Sequence, residues 1–142
     1  MRFWDASAVV PLILQEPNSE LARRWLEQDE DVVLWALTRV EVVSAIERRA
    51  REGRLSAAHR SAALREIGAF ADMGNEVTDL LAVRSKGTAL LARHPIRAAD
   101  AAQLGAALVV ADPDPSTLTM VVLDPRLADA AVREGFDVLT AP

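Results

Sequence analysis

The sequence predicts an α/β layer fold with a mostly parallel central sheet flanked by helices. Three observations predict it. Short β-rich runs occur at Arg2–Trp4, Val32–Trp35 and 119–123; longer helical stretches lie between and after them; and the chain shows no internal repeat or interdomain linker. At 142 residues, with 51% hydrophobic residues spread along the chain, it is expected to form one domain over 1–142, burying roughly two thirds of its unfolded surface.

Taken in order, Arg2–Trp4 is apolar and runs at once into Asp5-Ala6-Ser7, a strand leading into a helix start. A helix is expected over 17–28, then the strand Val32–Trp35 ending near Thr38, then helices over 39–52 and 56–72. A weaker strand at 76–78 precedes helices over 79–93 and 99–111. Asp112-Pro113-Asp114-Pro115-Ser116 concentrates helix-stopping and turn-forming residues and is read as an ordinary connection. The strand over 119–123 ends at Asp124, followed by a helix over 126–134 and a weaker strand at Asp137–Leu139.

Composition excludes several chemistries. With no Cys there is no disulfide, thiolate nucleophile or Cys-ligated zinc, and His59 and His94 sit in no ligand-like spacing. No apolar run is long enough for a membrane span and Arg2 to Asp5 holds no signal-peptide stretch, so a soluble, cytoplasmic protein without membrane association is expected. The net charge of -5 is divided into blocks: residues 16–31 carry six acids against two Arg, whereas 39–65 carry seven Arg against three acids. Residues 84–97 add four basic residues and no acid, so a cationic surface for phosphates is compatible with an acidic whole. Within these blocks Arg48, Arg49, Arg51 and Arg54 are the candidates to face a phosphate-bearing partner; a solvated or protein-binding face explains them equally well. With three Trp, three Phe and no Tyr, few stacking platforms exist, and recognition is expected to lean on Arg and backbone geometry.

Four acids carry the candidate chemistry: Asp5, Glu41, Asp100 and Asp124. Each has a structural explanation when taken singly. Thr38-Arg39-Val40-Glu41 reads as a capping box, Asp124-Pro125 as an N-cap with proline at N1, and Asp5 and Asp100 as complements to a helix dipole. Jointly they say more. Asp5 and Asp124 fall at the carboxyl ends of expected strands and Glu41 begins the helix after a third, which places them on the edge where open parallel sheets bind ligands. Asp100 lies among Ala98, Ala99, Ala101 and Ala102, surroundings that suggest a partly buried charge in need of a partner.

Two carboxylates about 4 Å apart repel by roughly 4 kcal/mol at an intermediate dielectric, so clustering four requires a cation or shifted pKa values. Oxygen-only ligands favour Mg2+ or Mn2+, ions suited to phosphodiester hydrolysis. Four carboxylates are compatible with one ion or two. Ser7 is expected either to steady the site or to cap the following helix, and Arg97 either to pair with an acid or to meet a phosphate.

These segments carry a resemblance. Phe3-Trp4-Asp5-Ala6-Ser7-Ala8-Val9-Val10, Leu37-Thr38-Arg39-Val40-Glu41-Val42, Ile96-Arg97-Ala98-Ala99-Asp100-Ala101-Ala102-Gln103-Leu104 and Val121-Val122-Leu123-Asp124-Pro125-Arg126-Leu127-Ala128-Asp129-Ala130-Ala131 occur in order along nearly the whole chain. The chain thereby resembles the PIN-domain family, and within it the VapC-like toxins of bacterial toxin–antitoxin pairs. The resemblance implies a PIN-like three-layer fold, Mg2+- or Mn2+-dependent endoribonuclease activity, and a homodimer neutralised by a small antitoxin. It implies that Asp5, Glu41, Asp100 and Asp124 build the metal site with the Ser7 hydroxyl beside them. Two departures concern the surroundings of the acids: Val122 stands where many relatives carry a hydroxyl, and Gln103 where many carry a His.

Other readings have weaker support. A receiver-type phosphoacceptor needs a strand-end Lys, and the single Lys, Lys86, falls inside an expected helix. A haloacid-dehalogenase-like site needs a second Asp where Ser7 stands, and no P-loop, dinucleotide turn or nucleophile elbow is present. The alternative from another class is a catalytically silent PIN-like module that binds RNA or protein, against which the four intact acids argue.

Overall fold

The computed structural model describes residues 1–142 as a five-stranded sheet between two helical layers. The elements are β1 (Arg2–Trp4), α1 (Ala6–Ile13), α2 (Ser19–Gln28), β2 (Val32–Trp35), α3 (Thr38–Arg51), α4 (Ala57–Met73), β3 (Asn75–Val77), α5 (Leu80–Arg93), α6 (Ala98–Ala111), β4 (Thr119–Val121), α7 (Pro125–Arg133) and β5 (Asp137–Leu139). The sheet order is β3-β2-β1-β4-β5 and every pairing is parallel, so the expected mostly parallel sheet is wholly so. A short 3-10 helix, Pro115–Thr117, sits in the connection before β4, with the Asp114 carboxylate accepting from the Ser116 amide.

Strand pleating divides the core. Phe3, Val33, Trp35 and Met120 face one layer with Leu90, Leu104 and Leu127, whereas Trp4, Val32, Leu34 and Val121 face the other with Val9, Ile46 and Ile67. Successive side chains of a strand point to opposite faces, so three- and four-residue apolar strands are buried on both sides by helices. The helix termini fall within two residues of the expected ones except where a cap intervenes.

One expected cap is corrected. Thr38 is the first residue of α3, not its N-cap; Leu37 holds that place and makes no side-chain cap bond. The Thr38 hydroxyl instead faces Gln103 of α6, and Glu41 bonds the same Gln103 rather than reaching back to the Thr38 amide. Burial explains the choice. Thr38 and Gln103 are both fully enclosed, so their polar atoms must pair with each other, while amides at a helix start retain access to water.

Helices α5 and α6 cross at two glycines. A methyl group at Gly105 would stand 3.0 Å from the Gly87 nitrogen and from the Val83 carbonyl oxygen, and one at Gly87 would stand 3.1 Å from the Ala101 carbonyl oxygen. All of these neighbours are backbone, so the helices must separate to admit a side chain. Gly105→Ala is therefore expected to destabilise the protein by about 1–3 kcal/mol, measurable by urea denaturation, although alanine is the better helix former. No helix is long and apolar enough to cross a membrane.

Candidate active site

The sheet order reverses between β1 and β4, each followed by a helix, which opens a crevice beyond their carboxyl ends. Asp5 follows β1 immediately and Asp124 follows β4 by three residues. Both are N-caps, as their positions suggested. The Asp5 carboxylate accepts from the Ser7 amide at 2.9 Å, and the Asp124 Oδ1 accepts from the Leu127 amide at 2.9 Å with Pro125 behind it. Glu41 lies in the first turn of α3, after β2, and Asp100 in the first turn of α6.

Asp100 reaches the crevice by a different route from the strand-end acids. It is carried by α6, which the Gly87–Gly105 crossing holds against α5 and which Gln103 ties to α3. The Gln103 amide nitrogen donates to the Thr38 hydroxyl at 3.0 Å and to Glu41 Oε1 at 2.9 Å. The Asp100 Oδ2 accepts from the Arg97 backbone amide at 3.2 Å, turning the carboxylate toward its own helix N-terminus.

Electrostatics shows that the four acids act on one another. Asp5 is 3% exposed and its carboxyl is raised from 3.8 to about 6, chiefly by burial, with Asp100 adding to the rise and the Ser7 hydrogen bonds opposing it. Glu41 is raised to about 7, first by desolvation and then by Asp5 and Asp100, against the hydrogen bond from Gln103. Burial also raises Asp100, whose neighbours include Asp124 on one side and the opposing cations Arg97 and Arg126 on the other. Asp100 thus stands at the electrical centre of the group.

Ser7 serves neither as the cap nor as an isolated neighbour. Its hydroxyl donates to Asp5 Oδ2 and accepts from the Leu123 amide at 2.9 Å and the Asp124 amide at 3.1 Å. One oxygen thereby pins the turn after β1 to the turn after β4 and fixes two of the acids relative to each other. Ser7→Ala leaves both amides without that acceptor and is expected to cost about 1–3 kcal/mol in thermal or urea denaturation while lowering activity.

Each acid engages one carboxylate oxygen in a positioning bond, and its second oxygen makes no hydrogen bond within the protein. No three of the carboxylates close to the geometry of a coordination shell. The donor set is oxygen alone, with a spare oxygen on each of four acids and carboxyls raised at Asp5, Glu41 and Asp100, chemistry of the kind hard divalent cations take.

The basic residues divide. Arg48, Arg49 and Arg51 occupy the last turn of α3, about 10–15 Å along the axis from Glu41 on the rise of a helix, with Arg54 just beyond. Arg49 pairs with Glu16 and Arg54 with Glu52 at 2.9 Å, whereas Arg48 and Arg51 form no ion pair. Arg97 and Arg126 line a polar cavity of about 340 Å3 together with Asp100 and Asp124. Sequence reading did not single out Arg126, and saw Gln103 as a departure without a role. A lone amide within the apolar run Ala101-Ala102-Gln103-Leu104-Gly105-Ala106 is the signal that Gln103 has a buried partner.

Comparison with known proteins agrees with this architecture. No curated protein matches the chain. Among solved structures it is similar to a toxin-antitoxin complex from Klebsiella pneumoniae, with a TM-score of 0.67 at 14% identity over 99% of this chain and 97% of that one. It is likewise similar to FitAcB from Neisseria gonorrhoeae (0.66, 19%, covering 98% and 96%) and to FitAB bound to an IR36 DNA fragment (0.67, 18%, covering 99% and 94%). At these identities the likeness establishes the shared fold. The PIN domain family model matches residues 2–131, and with the expected α/β architecture and parallel sheet present, this chain belongs to the PIN domain family.

Proposed function

We propose that this PIN domain is a Mg2+- or Mn2+-dependent endoribonuclease that acts in the cytoplasm as the toxin of a toxin–antitoxin pair. What supports the nuclease reading is that Asp5 and Asp124 follow β1 and β4, Glu41 and Asp100 begin helices, the Asp100 charge raises both Asp5 and Glu41, and each acid keeps an uncommitted carboxylate oxygen. These four residues would hold the cation, which when bound polarises the phosphate and lowers the pKa of a water.

The chain's own residues supply positioning and proton transfer. Ser7 and Gln103 hold Asp5 and Glu41 by one oxygen each, so the rotamers are set before substrate arrives. Glu41, held through one oxygen by Gln103 and with its second oxygen free of protein hydrogen bonds, is the group positioned to accept a proton from the attacking water. Attack at phosphorus breaks the bond to the 3'-oxygen and leaves a 5'-phosphate and a 3'-hydroxyl. Thr38 acts through Gln103, keeping its amide turned toward Glu41. Arg48 and Arg51, free of ion pairs, are the members of the basic turn suited to an RNA segment outside the crevice, with Arg49 and Arg54 joining them only by releasing Glu16 and Glu52.

The toxin role rests on the fold shared with the toxin-antitoxin complex from Klebsiella pneumoniae, and implies a small antitoxin partner. A homodimer belongs to the same reading. It is supported by exposed Leu37, Leu80 and Leu91 around an apolar groove floored by Trp35 and Val83, beside the first turn of α6.

Purified protein free of antitoxin is expected to cleave single-stranded or looped RNA on addition of Mg2+ or Mn2+, and EDTA is expected to stop it. Metal-independent cleavage, or cleavage retained by Asp100→Asn, would overturn the mechanism. RNA binding without any cleavage would select the silent binding module instead.

A further inference from the structure

The cavity beside Asp100 and Asp124 is lined by four residues only, and the other two are Arg97 and Arg126. No apolar side chain contributes to it. Both arginines are exposed and neither takes part in an ion pair, in contrast to Arg93 and Arg133 of the neighbouring turns, which bind Glu134 and Asp129 at 3.0 and 3.1 Å. In a chain with 21 acids against 16 bases, two guanidiniums facing two carboxylates without pairing is notable. The carboxylates accept instead from the Arg97 and Leu127 backbone amides, through one oxygen each. The cationic groups are thus left available within an acidic site.

Two further features favour an anion there. Helices α6 and α7, of 14 and 9 residues, both begin at this cavity, so the positive ends of two helix dipoles reinforce the guanidiniums. The planar fork of arginine also matches phosphate oxygens in a way a lone ammonium does not. Asp5 and Glu41 do not line the cavity, which therefore lies to one side of the four-acid cluster. A phosphate held in this cavity stands on the Asp100–Asp124 side of the site, away from Asp5 and Glu41.

We propose that Arg97 and Arg126 form a two-guanidinium grip for the backbone phosphate adjacent to the scissile one, so that the preferred substrate carries at least two internucleotide phosphates. The assignment rests on the nuclease reading for its scissile phosphate, while the grip itself is an anion site that operates without catalysis.

The test is binding of a fluorescein-labelled single-stranded octaribonucleotide in EDTA, followed by anisotropy across a salt series. Arg97→Gln and Arg126→Gln are each expected to weaken binding about tenfold, the scale of one hydrogen-bonded charge contact. Each is expected to reduce the slope of log affinity against log salt by about 0.7, as one single-strand phosphate contact is lost. Arg65→Gln, an equal charge change on exposed α4, should leave the slope unaltered. Both variants are surface changes, and unchanged melting temperatures verify their folding. A slope equal to wild type in both variants, or no wild-type binding, overturns the grip. Metal-dependent cleavage then still decides the nuclease separately: cleavage with unaltered slopes removes only the grip, and reduced slopes without cleavage remove only the nuclease. In active protein, wild type should cleave a trinucleotide with a lower KM than a dinucleotide, and both arginine variants should lose that difference.

Discussion

Asp5→Asn is expected to raise the melting temperature of the metal-free protein at pH 8 while abolishing metal-dependent RNA cleavage. The buried carboxyl titrates near 6 in the folded chain against 3.8 in the unfolded one, so the folded state holds the proton more tightly. Its sign is therefore opposite to that of an ion-paired acid. Below 3.8 the group is protonated in both states and costs nothing; as pH rises through 6 the folded state must ionise a desolvated carboxyl and stability falls; above that the full cost persists. The shift corresponds to about 3 kcal/mol. Asparagine keeps an oxygen to accept from the Ser7 amide and remains a good N-cap, so the substitution removes the charge and little else. Metal-free wild type should accordingly lose stability between pH 4 and pH 7, and Asp5→Asn should flatten that slope. A variant less stable than wild type at pH 8, measured calorimetrically in EDTA, would contradict the burial argument.

Asp100→Asn is expected to reduce cleavage by about a thousandfold and to remove the thermal stabilisation that Mn2+ confers on wild type. Its charge raises Asp5 and Glu41, and the Asp124 charge raises it in turn, so neutralising it relaxes the repulsion that a cation is needed to offset. In metal-free protein the Glu41 carboxyl should then titrate lower than about 7, which carboxyl-carbon NMR can follow. Stability gained in EDTA together with a lost Mn2+ response separates a ligand role from a purely structural one. If Mn2+ stabilised the variant as much as wild type, Asp100 would have no part in holding the ion.

Gln103 shows why some of this was hidden. Thr38, Arg39, Val40 and Glu41 have the spacing of a capping box, and local chemistry alone gives no reason to read them otherwise. The buried amide that claims both Thr38 and Glu41 comes from 65 and 62 residues away and exists only once α6 has packed on α3. Asp124 carries no such competition, and its strand-end and N-cap reading survived intact. Similarly, the basic run at Arg48 to Arg54 is continuous in sequence but loses Arg49 to Glu16, which α1 and α2 bring across from 33 residues earlier.

By itself the sequence determined the short apolar runs and the helical patterns, hence the strands and helices, because these follow from interactions among residues a few positions apart; their alternation pointed to a parallel sheet, whose pairings join residues as distant as Arg2 and Thr119. It likewise placed Asp5 and Asp124 at strand ends, where a turn residue must cap the following helix. Only the tertiary structure decided that Asp100 joins them, that Ser7 pins the two strand ends together, and that Arg97 and Arg126, 29 positions apart, share one cavity with Asp100 and Asp124. Burial and charge act through space, and their partners are chosen by helix packing at Gly87 and Gly105 rather than by proximity along the chain.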